Sequence, residues 1–397
     1  MRTKELAAEL KDYGISLRRT FHQHPELGRE EYETAKRIEA ELDAMGIPHS
    51  RLGGTGVIGL IQGTRPGRTV ALRADMDALP VQEETGAPYA SRTPGVMHAC
   101  GHDGHTASLL TAANILSRMR DRIRGTVKLI FQPAEEATFA DKLVEAGVME
   151  GVDAIMGIHI WQDVEHGKIY IGAGEQMSCP IEFRITLTGE GGHGSQSHQA
   201  IDTIVPMAAL IMNLQTIVSM EFNPLTDIAL TIGRVYSGQN AYVRPGDSYN
   251  LVSGVCNLEG TGRAFNKEDS DHLQEKITRM LEGIEKTYRV KGSLYYLLRS
   301  PAVYNDPALA ELGRKTCRSL WGEEGLDHTL GKVMASEDFG HYTKTGVPGL
   351  FAFVGSRNVQ KLKYYPHHDS HFDIDEDAIE QSSCFYAQFA LDYLNQG

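Results

Sequence analysis

Short apolar runs alternate with helix-like segments through the first 160 residues of the chain. Residues 56–61, 69–74, 126–131 and 154–160 are short, apolar and flanked by glycine or proline, which predicts buried strands. Between them, residues 103–116 are rich in alanine and leucine and predict a helix. This alternation indicates an α/β domain with a largely parallel or mixed sheet.

A different pattern begins near residue 180. Residues 181–187 alternate between apolar and other side chains, as a half-exposed strand does. The predicted order from there to residue 298 is strand, helix, strand, strand, helix, strand, which is the order of a ferredoxin-like module. The sequence therefore predicts an inserted α+β domain over 180–299, and a first domain made of 1–179 and 300–397.

The charge and the cysteines restrict the partners and the compartment. With 39 basic and 52 acidic residues the formal net charge is −13, which disfavours nucleic acid and anionic membrane surfaces as partners. No run of about 18 apolar residues predicts a membrane span, and the first residues lack the apolar centre of a secretion signal. The five cysteines are scattered, which predicts a cytoplasmic protein without a disulfide framework.

Side chains that can bind metals lie next to the predicted strands of the first domain. Cys100 and His102 are two residues apart where a helix is predicted to begin, and thiolate and imidazole are good ligands for zinc and similar ions. Because ligands gather at the carboxyl ends of strands in open α/β sheets, groups distant in sequence can converge there. The alternative is a buried, unreactive Cys100 beside a histidine in a turn.

Two adjacent carboxylates, Glu135 and Glu136, follow the strand over 126–131 and a proline. Neighbouring side chains point in different directions, so one carboxylate can bind a metal ion while the other takes a proton from a water molecule. Adjacent glutamates are also common on protein surfaces. Their position directly after an apolar strand is what favours a chemical role.

Other candidate residues leave two interpretations open. His159 lies among isoleucines in a predicted strand and is either a ligand or a core residue. His193 follows two glycines and could donate a hydrogen bond to a developing oxyanion, while Arg263 suits either a substrate carboxylate or a surface salt bridge. A loop near the C-terminus is either a ligand cluster or solvated, and it contains His367, His368 and His371.

Together and in this order, these segments resemble the branch of the M20 metallopeptidases that contains aminoacylases, auxin-conjugate (IAA-amino acid) hydrolases and hippurate hydrolases. The resemblance spans nearly the whole chain, and its markers are motifs at residues 19–27, 72–80, 98–103, 131–136, 192–193, 336–339 and 368–372. It implies a mixed-sheet catalytic domain of the zinc-exopeptidase type with an inserted ferredoxin-like domain that serves as a lid and in dimerisation.

The resemblance also implies a metal centre and its chemistry. It implies two divalent ions, of zinc, manganese, cobalt or nickel, with Glu135 as the general base and acid. The ligands that it implies are Cys100, His102, Glu136, His159 and His368. Asp77 matches a carboxylate that orients one of these ligands without binding the metal itself.

Three residues of the inserted domain match positions that contact substrate in the family. His193 matches a histidine placed beside the scissile carbonyl, often across a dimer, and Asn250 and Arg263 match residues that hold the substrate carboxylate. Two departures from the family pattern occur. Residues 250–254 read Asn-Leu-Val-Ser-Gly instead of Asn-Val-Ile-Pro-Asp, and residues 368–372, His-Asp-Ser-His-Phe, lack the usual proline and carry a second histidine.

The hypothesis is an amidohydrolase that cleaves the amide bond of a small N-acyl amino acid with a metal-activated water. A dipeptidase or carboxypeptidase of the same family is the nearest alternative. A cysteine hydrolase with Cys100 as nucleophile and a non-catalytic binding protein are alternatives of a different class. The expected partners are the small-molecule substrate and a second copy of the chain.

Overall fold

The computed structural model describes residues 2–237 and 250–396 of the chain. The helices are α1 (Arg2–Glu9), α2 (Lys11–Gln23), α3 (Tyr32–Ala44), α4 (His102–Ser117), α5 (Ala140–Glu145), α6 (Ile204–Thr216), α7 (Lys267–Tyr288), α8 (Pro307–Trp321), α9 (Gly340–Thr343) and α10 (Asp377–Leu394). The strands are β1 (His49–Leu52), β2 (Gly56–Gln62), β3 (Arg65–Asp75), β4 (Arg124–Gln132), β5 (Ala154–Glu165), β6 (Ile169–Tyr170), β7 (Gly174–Thr188), β8 (Gly192–His193), β9 (Ala229–Ser237), β10 (Leu251–Val252), β11 (Val255–Ala264), β12 (Lys291–Arg299), β13 (Val303–Asn305), β14 (Leu326–Asp327), β15 (Val333–Ser336) and β16 (Gly349–Arg357).

These elements form two compact units. The first unit contains Met1–Gln176, Val303–Val333 and Glu337–Gly397, and the second contains Met177–Ala302 with Met334–Ser336. Each unit has its own cluster of buried apolar side chains. In sequence, the second unit therefore interrupts the first.

A mixed sheet forms the centre of the first unit, with the strand order β1-β2-β4-β3-β5-β16-β6-β14. The four central strands β4, β3, β5 and β16 are parallel to their neighbours in that group. β1 and β2 are antiparallel additions at one side, and β6 pairs antiparallel with β16 at the other. The mixed α/β architecture predicted from the alternating pattern is confirmed.

Two buried helices cover the central strand β3. α4 and α10 pack against each other and against β3. Most residues of both helices are buried around their whole circumference, including Leu109 and Leu110 of α4 and Phe385 and Phe389 of α10. A helix that is apolar on all sides belongs in the interior, so these two helices hold the sheet from one face.

The register of the parallel strands brings their carboxyl ends to one edge of the sheet. Asp75, the last residue of β3, lies opposite Gln132, the last residue of β4. His159 of β5 lies opposite Phe353 of β16. The segments that follow β3 and β4 therefore begin next to each other at this edge, beside His159.

A backbone contact near the start of β4 allows only a glycine. Gly125 has a φ of +112°, and a Cβ atom built there would lie 2.0 Å from the carbonyl oxygen of Arg68. We expect Gly125→Ala to lower the free energy of unfolding by about 3 kcal/mol or more, because backbone must move and the left-handed φ is strained. Denaturant unfolding measures this loss.

The matched control is Gly151→Ala. Gly151 has a φ of +69°, and no atom lies within 4 Å of the position of an added Cβ. Only the strain of the left-handed backbone remains there, which costs about 1–2 kcal/mol. Equal losses of stability in the two variants would contradict the role of the contact with Arg68.

The second unit is built on an antiparallel sheet with the strand order β12-β7-β11-β9. Along the chain its main elements are β7, α6, β9, β11, α7 and β12. Its core contains Phe183 and Leu258 from the sheet and Leu210 and Ile277 from the helices. The apolar positions of α7 recur every three or four residues, which is why one face of this helix is buried.

The structure differs from the predicted elements in two places. The sequence of residues 251–264 predicts one strand, but the structure divides this segment into β10 and β11, because β10 pairs with β8 while β11 pairs with β7 and β9. Gly254 lies at this division, where its carbonyl accepts a hydrogen bond from the N–H of Gly189. The sequence of residues 141–149 predicts a helix, whereas α5 ends earlier, at Glu145.

The segment Ile204–Glu221 is long and apolar enough to cross a membrane by length and composition alone, with a mean hydropathy of 1.4. It consists of α6 and a further helical turn over Ile217–Glu221. One such segment is weak support for a membrane span. Its inward side contributes Met207, Leu210 and Leu214 to the core of the second unit.

Candidate metal centre

The start of α4 holds the first two predicted ligands. Gly101 precedes the helix with a φ of +93°, a left-handed conformation that favours glycine and turns the chain between Cys100 and His102. Both Cys100 and His102 are buried. Asp103 follows in the first turn, where the helix dipole stabilises a negative charge.

Cys100, His102 and His159 form a buried cluster whose ligand atoms all lie within 4.8 Å of one another. The Sγ atom of Cys100 is 3.5 Å from Nε2 of His159. Nδ1 of His159 lies 2.9 Å from the carbonyl oxygen of Ile160, so this nitrogen is the one that donates. The lone pair on Nε2 then faces the thiol, as a metal ligand requires.

Two further groups extend this cluster. One contains Cys100, Glu136 and His368, and the other contains His102, Glu135 and Glu136. Nε2 of His368 lies 3.2 Å from Oε1 of Glu136. Because the groups share Cys100, His102 and Glu136, all five predicted ligands belong to one continuous cluster. Such a cluster suits two neighbouring cations rather than one.

The structure distinguishes the histidines of the C-terminal loop. His368 is the one that lies beside Glu136 and Cys100. Nε2 of His367 lies 3.2 Å from the carbonyl oxygen of Ile160, and His371 lies beside Asp369. His368 also has a left-handed φ of +71°, which is uncommon outside glycine and often marks functional sites.

Asp77 supports two of the predicted ligands. Nδ1 of His102 lies 3.1 Å from Oδ1 of Asp77 and 3.0 Å from its carbonyl oxygen. The other carboxylate oxygen accepts a hydrogen bond from the backbone N–H of Glu136 at 3.1 Å. Nε2 of His102 is buried and has no hydrogen-bond partner within the described residues. A buried imidazole nitrogen left free in this way fits a metal ligand.

Negative charge accumulates around these ligands. Burial, together with the charges of Glu337 and Glu136, raises the pKa of Glu135 well above its usual range. Hydrogen bonds with Cys100 and Glu136 raise the pKa of His368 to about 10. Proton binding is therefore favoured between these side chains. A divalent cation bound there would neutralise the same negative charge. The donor set and its charge fit the implied metal ions.

A fully buried arginine holds the segment that follows β4. Arg73 pairs with Asp75 at 2.7 Å, with Glu337 at 2.9 Å and with Asp338 at 3.1 Å. The carboxylate of Asp338 also accepts hydrogen bonds from the backbone N–H groups of residues 139 and 140. The backbone N–H of Asp338 donates to Oε1 of Glu135 at 3.3 Å. The network thus fixes the backbone around the proposed base.

Sequence reasoning assigned no role to most members of this network. In the sequence, residues 336–339 are only a marker of the resemblance, and no sequence pattern distinguishes Asp75, whose Oδ1 lies 2.6 Å from Nδ1 of His105. One signal was present in the sequence. Arg73 stands inside an apolar run, where a buried charge requires partners.

The predicted substrate residues lie in the second unit. Nε2 of His193 is 3.5 Å from Nδ2 of Asn250, and the pairing of β8 with β10 places the two residues side by side. Arg263 lies elsewhere in the unit. It pairs opposite Pro180, near one end of the β7–β11 pair, whereas the segments that contain His193 and Asn250 extend from the other end. Within one chain, the structure does not bring Arg263 to the other two.

The five cysteines are all free and buried. Burial raises the pKa of Cys100, and the charge of Glu136 adds to this effect. Without a metal ion, Cys100 is therefore a thiol at neutral pH and a poor nucleophile. A bound cation would instead favour its thiolate.

Comparisons with known proteins agree on one family. Residues 71–392 match the model of peptidase family M20/M25/M40. The chain is 42% identical to an N-acyl-L-amino acid amidohydrolase of Geobacillus stearothermophilus, over 72% of this chain and 76% of that protein. It is 34% identical to thermostable carboxypeptidase 2 of Saccharolobus solfataricus, over 98% of this chain and 97% of that protein.

A solved structure shares the fold. It is a protein of Bacillus subtilis described as a dinuclear metal binding peptidase from the M20 family. The identity is 33%, the match covers 98% of this chain and 99% of that one, and the TM-score is 0.84.

Proposed function

Because the chain belongs to peptidase family M20/M25/M40, we propose that it is a metal-dependent amidohydrolase that cleaves the amide bond of N-acyl amino acids. The observation that supports this best is the convergence of the predicted ligands from four segments of the first unit. Cys100, His102, Glu136, His159 and His368 come together beside Glu135. This combination of thiol, imidazole and carboxylate donors suits zinc, and it also accepts manganese, cobalt or nickel.

The proposed chemistry uses the cluster and the carboxylate next to it. Two bound ions supply Lewis acidity, which polarises the amide carbonyl and lowers the pKa of the attacking water. Glu135 accepts the proton from that water as it attacks the carbonyl carbon. Glu135 then donates this proton to the leaving nitrogen as the C–N bond breaks. A carboxylate whose pKa is raised above its usual range by burial and neighbouring negative charges is suited to both steps.

The second unit is proposed to be a lid and dimerisation domain with a ferredoxin-like fold. Its order of strands and helices supports the fold, and exposed apolar side chains on and after α6, such as Val205, Met212 and Met220, support a contact with a second copy. His193 is proposed to donate a hydrogen bond to the carbonyl oxygen as negative charge develops there.

Asn250 and Arg263 are proposed to hold the substrate carboxylate. Asn250 lies beside His193. Arg263 lies near one end of the β7–β11 pair, and the segments that contain His193 and Asn250 extend from the opposite end. We therefore propose that one substrate contacts Asn250 and His193 of one copy and Arg263 of the other. Sedimentation analysis of the purified protein tests the dimer on which this assignment depends. The free cysteines support the cytoplasm as the proposed compartment.

The test of the function is a substrate screen with the metal-loaded enzyme. N-acetyl, N-benzoyl and indole-acyl amino acids are compared with short peptides after reconstitution with each of the four metals. Faster hydrolysis of N-acyl amino acids supports the proposal. Faster hydrolysis of peptides favours a carboxypeptidase, a second candidate that the similarity to the Saccharolobus solfataricus enzyme supports. If the enzyme hydrolyses neither class of substrate, both enzymatic proposals are overturned and a non-catalytic binding protein remains as the interpretation.

A further inference from the structure

Arg18 of α2 is fully buried although the proposed chemistry does not use it. Its Nε atom lies 2.7 Å from Oδ2 of Asp103, and its Nη2 atom lies 2.7 Å from Oδ1 of Asp373. A third carboxylate, Glu376, lies 3.4 Å from Nη1. The planar guanidinium therefore joins several acidic side chains that are far apart in sequence.

The two closer carboxylates belong to segments that contain proposed ligands. Asp103 follows His102 directly in the first turn of α4. Asp373 lies five residues after His368, before α10 begins. The two segments also meet directly, because the backbone N–H of His368 donates to the carbonyl oxygen of Ala99 at 2.8 Å. Arg18 thus spans the junction between the two sides of the cluster.

The surroundings of Arg18 fix its orientation. Nδ1 of His22, one turn further along α2, lies 2.8 Å from the same oxygen of Asp103. The hydroxyl of Tyr89 donates to Oδ2 of Asp373 at 2.8 Å, and the ring of Tyr89 lies 4.8 Å from the Arg18 guanidinium carbon. Arg18, Asp103 and Asp373 together are called the bridge. Each of its two carboxylates therefore has a second hydrogen-bond partner besides Arg18. The motif at residues 19–27, next to Arg18, includes His22.

We propose that Arg18 is a positioning residue for the metal centre. It holds the start of α4 and the segment from His368 to Asp373 at the separation in which His102 and His368 bind the same pair of ions. A buried ion pair contributes little net stability compared with apolar residues of the same volume, so stability alone is a weak reason for this arrangement. The inference rests on the proposed function, since that supplies the metal ions.

Two variants break the bridge in different ways. Arg18→Lys keeps the positive charge, but a single ammonium group cannot reproduce the planar fork that binds Asp103 and Asp373 together. Asp373→Asn keeps the shape of the side chain and removes its charge, and it leaves the pair of Arg18 with Asp103 in place. The control is Leu17→Ala, which removes buried apolar volume from the same helix and changes no charged or hydrogen-bonding side chain.

The experiment measures metal affinity and stability separately. Each chelator-stripped protein is dialysed against Zn²⁺ or Mn²⁺ to obtain stoichiometry and affinity, and its thermal midpoint is measured without metal. We expect the affinity for at least one ion to fall about 10–100-fold in Arg18→Lys and Asp373→Asn, as for other groups that orient ligands. Leu17→Ala should lose thermal stability and keep the affinity of the unaltered protein, and kcat in both bridge variants should recover at saturating metal.

Unaltered affinity for both ions in Arg18→Lys and Asp373→Asn would overturn the proposal. So would an equal loss of affinity in Leu17→Ala, because the effect would then follow stability. The dialysis is independent of any substrate. If the bridge variants lose affinity but the screen finds no hydrolysis, the proposed function fails and the positioning role stands. If hydrolysis occurs but affinity is unchanged in the variants, only the positioning role fails.

Discussion

Replacing Glu135 with glutamine is expected to lower kcat by at least about 100-fold while the metal content stays unchanged. Glutamine has nearly the same shape as glutamate, but its amide cannot accept the proton of the attacking water. The hydrogen bond from the N–H of Asp338 to Oε1 of Glu135 can still form with the amide oxygen, so the local backbone should remain in place. The loss should therefore appear in turnover and not in folding.

The neighbouring residue provides the matched control. Glu136 lies beside His368 and is a proposed ligand, so Glu136→Gln should lower the affinity for metal. Steady-state kinetics and elemental analysis of both purified variants separate the two roles. Near-normal turnover of Glu135→Gln would contradict its role as base. Loss of metal from Glu135→Gln, with retention by Glu136→Gln, would instead exchange the roles of the two carboxylates.

Removal of the metal ions is expected to reduce activity by at least about 1,000-fold. Lewis-acid activation contributes several kcal/mol to transition-state stabilisation, and each 1.4 kcal/mol corresponds to a factor of ten in rate. Dialysis against 1,10-phenanthroline or EDTA removes the ions, and addition of Zn²⁺, Mn²⁺, Co²⁺ or Ni²⁺ should restore the activity. The measurement is hydrolysis of the best substrate from the screen before and after each addition.

The same experiment tests the cysteine hydrolase alternative. A cysteine enzyme would keep its activity in chelator and would form an acyl-enzyme at Cys100 that mass spectrometry detects. The structure disfavours this outcome because burial raises the pKa of Cys100. Full activity in chelator with a trapped acyl group would overturn the metal mechanism.

The alternating apolar runs predicted the strands of the first unit well. The burial of a segment determines both its apolar sequence pattern and its place in the sheet. β2, β4 and β5 extend the predicted runs by one, three and five residues. The division between β10 and β11 was not predictable in this way. It depends on which strand each half pairs with, and strand pairing is a long-range property.

The ligand cluster was predictable in part. The resemblance supplied residue types at matching positions, and the sheet register explains why they meet. Within the C-terminal loop the resemblance selects His368, and the structure places it beside Glu136, whereas His367 contacts the carbonyl oxygen of Ile160. The distant partners of Arg18 and Arg73 could not be predicted, because these carboxylates lie more than 80 residues away in sequence.

The order of the proposed ligands along the chain has a consequence for biosynthesis. His368 follows the second unit, whereas the other proposed ligands precede it. A nascent polypeptide that has been translated as far as Ala302 contains the sulfur ligand and two of the imidazoles, but neither His368 nor Asp373. The ribosome must therefore also synthesise the second unit and the segment as far as His368 before all five proposed ligands can meet around the two ions.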